Sequence, residues 1–113
     1  MTKSSRIVTA PPAAVTEALQ HLGRNLRVAR LRRKLRIEDI AQRIGASRLT
    51  VADLEKGKPG TAAAAYFGAL WALGLLDQTL GLADPDRDEE GKTLESARQP
   101  TQAPRRQRLD NDF

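Results

Sequence analysis

The sequence predicts an all-α protein of five short helices over residues 13–83, and three observations carry that expectation. Apolar residues recur at steps of three and four, most plainly in the stripe Val15, Leu19, Leu22, Leu26 and Ala29. Helix stops stand where such runs end, at Gly45, Gly57, Lys58-Pro59-Gly60 and Gly74. No convincing alternating segment marks a strand.

Residues 1–12 are polar, close on Pro11-Pro12 and read as a flexible arm. The first helix starts at Ala13. Gly23 interrupts it at some cost in helix propensity, but the apolar stripe continues beyond. Its second half holds Arg24, Arg27, Arg30, Arg32, Arg33 and Lys34, six cations in eleven residues. Cations suit a helix C-terminus, yet six exceed what capping needs, which leaves some for a phosphate partner. Leu35-Arg36 leads to a second helix, Ile37 to Ile44, with Ile40, Ala41 and Ile44 inward and Glu38 and Asp39 at its positive end. Gly45 ends it. Ser47 is a good N-cap for a third helix, Arg48 to about Lys56, in which Val51 and Leu54 point inward. A fourth runs from Thr61 to Leu73, with Ala63, Tyr66, Phe67, Leu70 and Leu73 on the buried side. A short fifth, about Leu76 to Leu82, adds Leu76, Leu80 and Leu82. Residues 84–113 are polar, carry three prolines and read as a disordered tail.

The 113 residues suffice for one domain with a modest core. With no cysteine there is no disulfide and no cysteine-ligated metal. No apolar run reaches the length of a membrane span, and the start lacks the apolar segment of a secretory signal. A cytoplasmic protein without a membrane partner is expected. Residues 1–60 hold 13 Lys/Arg against 5 Asp/Glu, a net of +8, whereas residues 61–113 hold 6 against 9, a net of −3. Positive charge gathered in one half points to a polyanion.

Catalysis finds no support. His21 has no second ligand or carboxylate arrangement nearby, Ser47 has no base, and Glu89-Glu90 lies in the expected tail. Gly57-Lys58-Pro59-Gly60 is a turn between helices, not a phosphate cradle after a strand. No enzyme, metal or cofactor is expected.

The spacing Ala41, Gly45, Val51, Leu54 is the central signal. A small residue lets two helices cross closely, a glycine permits the turn, and two apolar residues lock the second helix on the first. Ser47, Arg48, Leu49, Thr50, Ala52 and Asp53 are then left facing outward, on a helix that fits a DNA major groove. These residues, with Leu54-Glu55-Lys56-Gly57 and the apolar fourth helix, resemble the helix-turn-helix of the Xre family, which includes the phage Cro and C-type repressors. The resemblance spans roughly residues 22–82 and implies a lambda-repressor-like fold that binds double-stranded operator DNA.

The resemblance further implies base contacts from Ser47, Arg48, Leu49, Thr50 and Asp53. Arg48 would grip a guanine, worth about 1–3 kcal/mol of discrimination. Backbone contacts fall on Lys56 and Lys58, and Arg30 with Glu55 matches a structural ion pair. The family usually opens the unit with Thr-Gln, a cap and a phosphate ligand, where this chain has Arg36-Ile37. The lost cap costs about 1 kcal/mol, and Arg36 is the candidate to reach the phosphate instead. Lys3 and Arg6 are candidates for a minor groove. Family members bind as dimers, and Trp71, Leu76 and Leu80 are the candidate interface, with closure of the domain's own core as the alternative for Trp71. Residues 72–91, ALGLLDQTLGLADPDRDEEG, are similar to small HipB-like bacterial antitoxins. That similarity implies a homodimer that represses its own operon, associates with the nucleoid when bound there, and neutralises a HipA-like kinase toxin. A free-standing regulator and a module for RNA or an acidic protein are the alternatives.

Overall fold

The computed structural model describes residues 5–98, so Lys3 and the Arg105, Arg106 and Arg108 cluster lie outside the described residues. All regular structure in the described residues is helical. The chain divides into two compact units, residues 1–77 and 78–113.

The first unit holds α1 (Arg6–Thr9), α2 (Ala13–Arg32), α3 (Ile37–Ile44), α4 (Arg48–Glu55) and α5 (Ala63–Ala72). Its core is built from the helix stripes: Leu26 and Ala29 of α2, Ile40 and Ala41 of α3, Val51 and Leu54 of α4, and Tyr66, Ala69, Leu70 and Ala72 of α5, with Leu73. Leu19, Leu22, Leu35, Ile37, Ile44 and Leu75 pack around them. The expected arm contains one helical turn, α1, which buries nothing.

Each helix end has a local cause. Past α2, the N–H of Leu35 donates to Arg30 O and that of Lys34 to Leu31 O, while Lys34 takes φ +56°. This paired closure usually employs glycine at the left-handed position. Gly45, at φ +72°, closes α3 in the same way, with Ala46 N–H donating to Ala41 O. The start of α3 lacks the usual hydroxyl cap, but the Asp39 carboxylate accepts from the Arg36 N–H at 2.7 Å. That bond is the acidic half of a capping box and recovers part of what the missing cap costs.

Two glycines set the approach of α2 to α4. A Cβ at Gly23 would stand 2.5 Å from Glu55 O and 2.7 Å from Leu54 O. At Gly57 it would stand 2.5 Å from Leu19 O, and φ there is +73°. Gly23 therefore gives up helix propensity for contact between backbones.

Apolar assignments are corrected in two places. Ala63 and Phe67 are exposed, Phe67 by 43 %, and Ala69 and Ala72 take the inner side of α5. This helix is apolar all round, so periodicity does not choose its face. The choice is made by Ile44, which packs on Gly68, and by Arg43 Nη1, which donates to Ala72 O at 3.1 Å. The expected fifth helix is a 3-10 turn, Leu76–Gly81, that spans the division between the units. Leu75 packs on the core in place of Leu76, and Leu80 and Leu82 are exposed.

In the second unit, residues 84–98 are ordered helically where a disordered tail was expected. Pro85–Arg87 form a 3-10 turn that Asp84 caps, its Oδ1 accepting from Asp86 N–H. Asp88 Oδ1 accepts from Gly91 N–H at the start of α6 (Glu89–Arg98). No residue of α6 is buried. Capping at aspartates and acids in the first turn hold it, which an argument from buried apolar surface does not detect.

Candidate nucleic-acid interface

Helices α3 and α4 meet at Ala41, which is 3 % exposed, and Val51 and Leu54 seal the back of α4 completely. The Ser47 hydroxyl accepts from Thr50 N–H at 3.1 Å and lies 3.0 Å from Thr50 Oγ1. Both hydroxyls are thus engaged at the helix start, Ser47 on the outside and Thr50 half-buried. Arg48, Leu49 and Lys56 are exposed and Ala52 is half-exposed, giving α4 one outward stripe. Among the described residues Arg48 and Lys56 make no ion pair or side-chain hydrogen bond.

Asp53 does not stand free beside them. Lys58 Nζ forms an ion pair with its Oδ1 at 3.2 Å, and among the described residues this buried oxygen has no hydrogen bond. Lys58 is held on both sides, because its backbone O accepts from the Tyr66 hydroxyl at 2.8 Å. Burial pushes the Tyr66 phenol above its ordinary pKa.

Helix α4 is pinned from behind. Arg30 Nε donates to Glu55 Oε2 at 2.6 Å, Nη2 to Oε1 at 3.0 Å, and Nη1 to Leu35 O at 2.9 Å. Both side chains are 8 % exposed. The hydrogen bond to Glu55 raises the Arg30 pKa above its already high ordinary value, so the cation is permanent. Planar fork and carboxylate match in shape as well as in charge.

Arg36, the candidate for the missing phosphate ligand, lies 3.5 Å from Glu38 and 3.7 Å from Asp39 on an open surface. Ile37 packs against the core. Beside it, a cleft of about 380 Å³ between α2 and α4 is lined by Arg27, Arg30, Ile37, Ala52, Glu55 and Lys56. The basic run of α2 flagged Arg27 only as one cation among six. Its place in one cleft with Lys56 depends on the α2–α4 crossing at Gly23.

Outside this region, Trp71 is 55 % exposed on α5, one turn from Phe67. His21 is exposed. No group of acidic and histidine side chains that could hold a metal ion occurs among the described residues. No helix among them is long and apolar enough to cross a membrane.

A sealed inner face, a glycine turn and a cationic outer stripe are the parts of a helix that reads DNA, and a sequence model described as a helix-turn-helix domain matches residues 21–89. The chain belongs to the helix-turn-helix domain family. It is of the Xre-like kind, a DNA-binding fold. No curated protein and no solved structure matches the chain. Within this helix-turn-helix domain, α3 and α4 are the two helices joined by the Gly45 turn.

Proposed function

We propose that this protein is a homodimeric, sequence-specific repressor that reads operator DNA with α4, and that it serves as the antitoxin of a HipA-like kinase toxin. The observation that carries the DNA reading is the outward stripe Arg48, Leu49, Ala52 and Lys56 on a helix whose opposite side is fully sealed. Arg48 is exposed, has no partner among the described residues and offers a bidentate donor to guanine, and Leu49 offers contact to a thymine methyl. Ser47 and Thr50 contribute from the helix start, and Asp53 through the position in which Lys58 holds it. Lys56 and Lys58 face the strand backbone.

Dimerisation finds support in the exposed pair Phe67 and Trp71 and in Leu76 beyond them. Large aromatics at the surface are characteristic of protein contacts. A dimer places two recognition helices one DNA turn apart, about 34–36 Å. The antitoxin part rests on the similarity of residues 72–91 to HipB-like antitoxins.

Selection from a random duplex library tests the first reading. A two-fold symmetric site should emerge, bound about 10³-fold or more tightly than random duplex. Equal affinity for all duplexes would sink it. Trp71→Ser should lower the sedimenting mass from dimer to monomer. Purification together with the product of the neighbouring reading frame tests the toxin reading, and a chain that comes out alone supports a free-standing regulator.

A further inference from the structure

The phosphate ligand that the resemblance to the Xre family places at the start of α3 is replaced by Ile37, whose side chain can donate nothing. Arg36 beside it is drawn toward Glu38 and Asp39. The cleft against which Ile37 lies is nevertheless cationic. Its lining holds Arg27, Arg30 and Lys56 against Glu55, three positive charges and one negative, a net of +2. Glu55 does not repel an anion there, because two hydrogen bonds from Arg30 neutralise it. Arg27 on α2 and Lys56 at the end of α4 are exposed and, among the described residues, make no ion pair or side-chain hydrogen bond.

We infer that Arg27 and Lys56, which both line this cleft, together hold one phosphate of the DNA strand flanking the half-site, taking over the contact that the Ile37 side chain cannot make. The site rests on the DNA-binding reading given above and adds to it a residue of α2. Three features suit it to a phosphate. Two exposed cationic side chains line one opening. Half-buried Ile37 and Ala52 add an apolar lining, which lowers the local dielectric and strengthens the attraction. The frame is rigid, because Gly23 and the Arg30–Glu55 fork fix α2 against α4. The contact carries no base information, so it fixes register and affinity.

A shared phosphate differs from two separate ones in how binding responds to salt. Each neutralised phosphate contributes about 0.9 to the slope of log affinity against log salt. The test measures binding of the full chain to the selected duplex and to random duplex from 50 to 200 mM KCl, for wild type, Arg27→Gln, Lys56→Gln and the double variant. Both positions are exposed, and circular dichroism confirms the fold of each variant. The double variant should lose about 0.9 of slope on both duplexes, so its deficit shrinks roughly 3.5-fold across that range. Each single variant should lose less than that. In a scan of duplexes with one neutral methylphosphonate, a single position should abolish the difference between wild type and both single variants.

An unchanged slope in the double variant would overturn the proposal. So would a loss near two, or separate methylphosphonate positions for Arg27 and Lys56, because each cation would then hold its own phosphate. These outcomes stand apart from failure of the parent reading, in which wild type itself does not distinguish the selected duplex from random. A wild type that binds no duplex overturns both.

Discussion

Replacing Gly23 by alanine should destabilise this domain even though it improves the helix. In an exposed helix interior the change gains about 1 kcal/mol. Gly23 is buried, and the new Cβ would stand 2.5 Å from Glu55 O and 2.7 Å from Leu54 O. Ordinary contact begins at 3.4 Å, so α2 and the end of α4 must part by 3.4 − 2.5 = 0.9 Å. Both neighbours are backbone carbonyls and cannot rotate aside. The same shift, added to the 2.6 Å Arg30–Glu55 bond, gives 3.5 Å, which is too long for a hydrogen bond. Over-packing costs about 1–3 kcal/mol, and a charged hydrogen bond is worth about 1.5–3 kcal/mol. Less the helix gain, the expected loss is about 1.5–5 kcal/mol, a large part of the roughly 5–15 kcal/mol that holds a domain together. Urea titration followed by circular dichroism reads it as a lower midpoint at unchanged slope. Asn25→Ala, exposed on the same helix, serves as control and should be neutral or slightly stabilising. A Gly23→Ala variant as stable as wild type would refute the argument from close approach.

Arg48→Ala should weaken binding to the selected duplex by about 1–3 kcal/mol and relax the preference at one base pair, with the melting temperature unchanged, as competition assays with single-base variants would register. Glu55→Ala leaves the Arg30 cation buried with Leu35 O as its partner among the described residues, and should cost about 3–5 kcal/mol in chemical denaturation. Restoring an apolar pair with Arg30→Met and Glu55→Leu together should recover most of that, and equal instability of single and double variants would contradict a desolvation origin. Stability should also depend on Tyr66 at high pH. Its folded pKa lies above the unfolded value, so the contribution is complete below the unfolded pKa of about 10 and is lost as pH rises from there through the folded pKa. Tyr66→Phe should flatten this alkaline limb, which denaturant midpoints measured from pH 8 to 11 would reveal.

The inner half of the helix-turn-helix was legible in the sequence because one cause fixes each position. Ala41 is small where helices cross, Gly45 is left-handed where the turn demands it, and Val51 and Leu54 have only one buried side available. Ser47 as a cap was legible for the same reason. Where several residues satisfied a rule equally, the sequence did not choose. Helix α5 is apolar on every face, and contacts from Ile44 and Arg43 decided against Phe67. The leucines of residues 76–82 are frequent enough for a core, but a short segment ending in Gly81 closed as a tighter turn and left Leu80 and Leu82 outside. In α6 the rule applied was burial, whereas the operative cause was capping by Asp84 and Asp88, visible as aspartates before helical runs. The cleft between Arg27 and Lys56 was not legible at all, because it exists only through the crossing of two helices distant in the chain.

The contact between Arg30 and Glu55 joins residues 25 apart and encloses both helices of the DNA-reading unit between its ends. It works as a non-covalent staple, holding that segment as a closed cassette against α2. Residues 48, 49 and 52 lie on the cassette's open side and share no bonds with the staple. New side chains at these three positions should therefore alter which operator is read at almost no cost in folding. Helix order is already in place when DNA arrives, so binding need not supply it.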